Sequence, residues 1–188
     1  VRGVLLFVLL LAPPLRGWLE SSMTAHMLVQ IPLLVLSGWL AAASRAPHRS
    51  RSLQYWNPGG APGLLLAVAI TTTWMVPRAL DLAVTTWPVD VAKALSLALA
   101  GALGQCSWAR AGAPGQAFFV GNVAWMAAVV GLLLRDAPVR VCTSYLARDQ
   151  WYAGTGLLLL ATAVGVRWFV SWLGTTAPAA AERGPMQS

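Results

Sequence analysis

The polar residues of this 188-residue chain are bunched between apolar runs. The lengths of those runs constrain the fold more than any other feature. They cover residues 4–15, 23–43, 61–76, 91–108, 117–134 and 153–173. A helix needs about 20 mainly apolar residues to cross a bilayer. Five runs are at or near that length, and the first is too short unless it tilts or leans on its neighbours. The expected fold is all-α: a polytopic transmembrane bundle of about six helices, or five if the first segment does not span. Residues 1–174 form one domain and 175–188, rich in Ala, Pro and Gly, a flexible tail.

Only 10% of the residues are charged, against roughly 25% in soluble domains. A net charge of +7 would suggest nucleic acid in a soluble protein. Here the arginines fall at helix ends, where they anchor topology, so lipid is the expected partner and nucleic acid is not. Arg2 before the first run resembles the start of a signal sequence, but Ala12-Pro13-Pro14 puts proline where cleavage would be hindered. An uncleaved first helix is expected. Cys106 and Cys142 show no zinc-type spacing; they belong to opposite sides of the membrane, and no disulfide is expected between them.

Lys and Arg divide evenly between the two sides. Arg2, Arg45, Arg49, Arg51, Arg110 and Arg183 face Arg16, Arg78, Lys93, Arg135, Arg140 and Arg148. The 44–60 loop carries Arg45, Arg49 and Arg51 without an acid, and five of the six acids lie on the other side. Both termini are therefore placed in the cytoplasm of a bacterial-type inner membrane, with the 16–22, 77–90 and 135–152 loops outside. His48, in the basic loop, is expected to be exposed.

Residues i, i+3 and i+4 share one face of a helix. Met23, His26 and Met27 therefore line one stripe near the outer end of the second helix. Thioether and imidazole ligands suit Cu(I). Methionine is also ordinary core filling, and a lone histidine often bonds a neighbouring helix; the spacing allows both. Met75, at the outer end of the third helix, is a candidate fourth ligand. Pro32 should kink its helix, Ser21 or Ser22 should cap it, and Ala100-Gly101 permits close helix approach. Asp149 before the last helix suits a cap. Asp81 and Asp90 either attract cations at the mouth of the bundle or are simply solvated. No nucleophile–base set, phosphate loop or paired carboxylates are recognisable, so the chain is read as non-catalytic. The membrane interior lacks the paired ionisable groups that a transporter or enzyme leaves.

Ser22-Met23-Thr24-Ala25-His26, followed by Leu33-Leu34-Val35-Leu36-Ser37-Gly38, resembles a His-Met-x-x-His segment and its Pro-Leu-Leu-Val-Leu-Gly-like run. Upstream, Leu11-Ala12-Pro13-Pro14-Leu15 is similar to a Ser-Pro-Leu turn. Trp74-Met75-Val76-Pro77-Arg78-Ala79-Leu80-Asp81 resembles Trp-His-x-Pro-x-x-x-Asp, and Asp149-Gln150 with Ala153-Gly154 resembles Asp-Gln-x-x-Ala-Gly. In this order, over residues 8–165, the landmarks are similar to the CtaG family, polytopic membrane proteins implicated in assembling the copper centre of haem–copper cytochrome oxidases. The resemblance implies an assembly factor delivering copper to a respiratory oxidase from the outer face, with Met23, His26 and Met27, and more weakly Met75, as ligands. Where the family's histidines would fall stand Ser22, Met75, Asp90 and Ala94; only His26 matches. The alternative is therefore a stable accessory subunit of a membrane oxidase or other copper enzyme that no longer binds metal.

Overall fold

Ser22 starts the helix that carries the methionine–histidine stripe. Its backbone is extended, and its hydroxyl oxygen accepts the Ala25 N–H at 3.1 Å, which supplies one of the donors a helix start leaves open. The computed structural model describes residues 1–44, 55–142 and 145–176. The readings of His48, Arg45, Arg49 and Arg51, and of the tail beyond Thr176, fall outside those residues.

Among the described residues the chain is helical with short connections. In order come α1 (Arg2–Leu11), α2 (Pro13–Glu20), α3 (Met23–Ala43), α4 (Ala61–Met75), α5 (Pro77–Thr85), α6 (Trp87–Trp108), α7 (Gly112–Asp136) and α8 (Ala147–Thr176). α3, α6, α7 and α8 are each long and apolar enough to cross a membrane. α1–α2 and α4–α5 are pairs bent by 69° and 74°, so the bundle has four spans, or up to six if each bent pair counts as one. The protein is a helical membrane bundle, as its apolar runs require.

Both bends have the same cause. Proline disfavours helical backbone in the residue before it and cannot donate to the preceding turn. Ala12 before Pro13 and Val76 before Pro77 accordingly adopt extended ψ values of 129° and 121°. α1 has 10 residues, about 15 Å of helix, and does not cross a core about 30 Å thick unaided. Pro32 acts differently. α3 runs through it, but residues His26–Gln30 take π-helical form, with the Ile31 N–H bonded to the His26 carbonyl. The wider turn absorbs the donor that Pro32 lacks and re-aims the residues just before it.

α3 and α6 cross where both are bare of side chains. A Cβ added to Gly38 would strike the backbone of Ala98, and one added to Gly101 would strike that of Val35. Gly131 and Gly154 play the same part between α7 and α8. Such close approach replaces hydrophobic drive with dispersion contact, the usual basis of helix packing in lipid. The apolar core runs from Leu10, Leu19, Met23 and Met27 to Leu97, Leu134 and Leu157. Side chains such as Leu95, Leu132 and Leu159 point outward.

Candidate functional site

Near one end of the bundle, under α2 and the connection between α7 and α8, four charged side chains meet, Asp90 and Lys93 buried and Glu20 and Arg16 partly so. α2 contributes Arg16 and Glu20, four residues apart and therefore on one face; α6 contributes Asp90 and Lys93, three apart. Arg16 bonds Glu20 Oε2 at 3.2 Å through Nε and Asp90 Oδ2 at 2.9 Å through its terminal nitrogen. The Lys93 ammonium donates to Glu20 Oε1 at 3.4 Å and to His26 Nε2 at 3.1 Å. It also stands 2.7 Å from Asp90 Oδ1, forming an ion pair. Gln30 adds a further donor to Glu20 Oε1 at 3.2 Å.

Lys93 is 0% exposed, His26 1% and Asp90 3%. A charge this deep persists only when paired. Here two cations face two carboxylates, and the cluster is formally neutral. The reading of Asp90 as a cation-attracting or solvated residue at the mouth is corrected: it is buried and bound to Arg16 and Lys93. So is the expectation that paired ionisable groups are lacking inside the bundle. α6 begins at Trp87, four residues before the apolar run at 91. Asp90 thus lies on its inward face with Lys93 rather than in a loop.

The hydrogen bonds also define the histidine. Lys93 has only hydrogens to offer, so Nε2 of His26 is the acceptor. The proton then sits on Nδ1, which donates to the Tyr145 hydroxyl at 2.8 Å. Both ring nitrogens are engaged. Tyr145, in the connection between α7 and α8, has its phenol pushed above the usual range, first by burial and then by the Glu20 carboxylate. It remains a neutral hydroxyl at ordinary pH.

Of the candidate copper ligands only His26 belongs to this polar centre. Met23 and Met27 are buried in the apolar core, and Met75 packs against that core, half-buried. His26 has no ring lone pair left for a metal while Lys93 holds Nε2. Among the described residues no three His, Cys, Asp or Glu side chains converge in a metal-holding arrangement. As placed, the His26 ring does not fit a copper ion.

Other polar residues brace the connections. Gln150 donates to the Leu134 and Val139 carbonyls at 3.0 and 3.4 Å and accepts the Val141 N–H at 2.8 Å. It pins the α7–α8 connection, while Asp149 lies in the first turn of α8, where a carboxylate opposes the helix dipole. At the opposite end Asn57 accepts the Gly63 N–H at 3.0 Å and donates to Ser107 at 2.8 Å. Cys106 and Cys142 are free thiols.

Sequence reasoning picked out His26 and missed Arg16, Glu20, Gln30, Lys93 and Tyr145. The signal lay in the spacings: Arg16 to Glu20, His26 to Gln30 and Asp90 to Lys93 each put two polar groups on one helical face. No family model, curated protein or solved structure matches the chain.

Proposed function

We propose that the chain is a non-catalytic, CtaG-like integral membrane factor. It serves a respiratory haem–copper oxidase, or another membrane copper enzyme, as an accessory subunit with no metal at His26. The family reading rests on the ordered landmarks between residues 8 and 165. The choice of accessory subunit over copper carrier rests on one observation, the Lys93 ammonium 3.1 Å from His26 Nε2 and 2.7 Å from Asp90. Asp90 stands at one of the positions where the family resemblance would place a histidine. A tethered cation there supplies permanently the positive charge that a metal would bring and take away. What such a site does is hold α2, α3, α6 and the Tyr145 segment in one arrangement, a firm surface for a partner.

The proposed location is a bacterial-type inner membrane, with both termini cytoplasmic and the ionic cluster toward the outer face. The test is the copper content of the purified chain with and without His26→Ala, together with its retention by the mature complex. Copper absent from both forms, and stoichiometric retention through mild detergent washing, are expected. Copper bound by the wild-type chain and lost in His26→Ala would replace this reading with copper delivery. Loss on washing would count against a permanent subunit.

A further inference from the structure

α7 carries polar groups at membrane depth that the fold leaves unused. Its 25 residues, Gly112–Asp136, place Asn122 and Trp125 within about 3 Å of the helix midpoint along the axis. Among the described residues neither the Asn122 amide nor the Trp125 indole N–H has a hydrogen-bond partner. Tryptophan in membrane proteins collects at the headgroup level, not at the centre. Trp125 is nonetheless 68% exposed on the outer side of a span. Phe118, Asn122, Trp125 and Val129 follow one another at helical spacing. Phe118, Trp125 and Val129 are exposed and Asn122 is half-buried. Beside them Gly121 has nothing within 4 Å of the place its Cβ would occupy, so another backbone can come close.

Acyl chains offer no hydrogen-bond acceptor or donor, so lipid leaves both groups unsatisfied. An occupant that satisfies them must bring an acceptor for the indole and both a donor and an acceptor for the amide. A side-chain amide is its own complement: its N–H donates to the carbonyl of an identical amide across a twofold axis, and that carbonyl also accepts from an indole. The stripe on α7 is thus complementary to itself. We infer that α7 is a self-association surface, on which a second copy of this chain docks through Asn122 and Trp125, with the backbones brought together at Gly121. This surface is separate from the buried ionic cluster and does not depend on the oxidase reading.

The test uses the full chain in lipid vesicles, with Cys106 and Cys142 replaced by Ser. Oxidative crosslinking is compared for Gly121→Cys and Phe118→Cys on the stripe and for Leu95→Cys and Leu159→Cys on the exposed faces of α6 and α8. Covalent dimer is expected from the first pair and not from the second. In parallel, energy transfer between labelled copies is followed on dilution with lipid. Asn122→Leu should weaken association by about fivefold to tenfold, the scale of an interhelical hydrogen-bond set, and Asn122→Gln should restore part of it. Leucine suits a lipid-facing position, and unchanged helical circular dichroism verifies that the variant is folded. Equal crosslinking at all four positions, or a dimer indifferent to Asn122→Leu, would each overturn the inference.

Discussion

Lys93 and His26, brought from α6 and α3, stand 3.1 Å apart with the ammonium donating to Nε2. The same ammonium is bound to two carboxylates, so its charge is balanced where water is excluded. A buried charge left without its partner costs far more than the pair itself is worth.

Lys93→Met is therefore expected to destabilise the bundle by about 3–5 kcal/mol, because Glu20 and Asp90 are then left to share Arg16 alone and one negative charge goes uncompensated. Adding Asp90→Asn to Lys93→Met should recover part of the loss, since the remaining Glu20 carboxylate is then matched by the Arg16 guanidinium. Thermal unfolding in detergent, run as a double-mutant cycle, measures the coupling.

His26 is expected as the Nδ1–H tautomer with Tyr145 as its acceptor. Nitrogen NMR of the labelled imidazole reads the tautomer directly. Tyr145→Phe leaves that N–H buried and unmatched, at a cost of about 1–3 kcal/mol. An Nε2–H tautomer would mean that Lys93 does not donate to the ring.

The Cys142 thiol is pushed up to about 12, by burial first and by the Asp81 carboxylate second. It should resist alkylation at pH 8.5, where a free thiol is substantially ionised. Stability follows the proton count. Above its usual value of 9.0 the unfolded thiol has lost its proton, while the folded one keeps it until about 12. The unfolded state then binds fewer protons and stability falls with rising pH across that window. The raised phenol of Tyr145 acts in the same direction. Alkylation rate and unfolding temperature against pH test both; equal stability at both ends of the window would contradict the burial of these groups.

Gly38→Leu and Gly101→Leu should each disrupt the α3–α6 crossing, because the added side chain meets backbone that cannot rotate aside. A loss of about 1–3 kcal/mol or more is expected, read as lowered thermal stability and loosened protection of both helices. Gly174→Leu, with nothing within 4 Å of its Cβ position, should be neutral.

That long apolar helices form, and roughly where they run, was legible because hydropathy and length are local properties. The run at 23–43 became the helix Met23–Ala43, and the run at 61–76 became Ala61–Met75. The 77–90 connection, read as a loop, holds the short helix α5, set off by Pro77. Ser22 caps as its residue type suggests, and Gly101 sits at a close crossing as its size suggests. Helix starts were less legible where charged residues continue an apolar helix: α6 begins four residues early, and that offset hid the inward placement of Asp90 beside Lys93.

The sequence by itself determined that this is a helical membrane protein, where its apolar helices run, and that His26 lies near one end of α3. Only the tertiary structure decided what His26 faces. Ion pairing depends on which helical faces turn inward. That follows from where each helix starts, from the π turn before Pro32 and from the glycine crossing of α3 with α6. Lys93 lies 67 residues from His26 and Tyr145 lies 119 away, so no local pattern could bring them together. In a medium without water, charge balance holds them there.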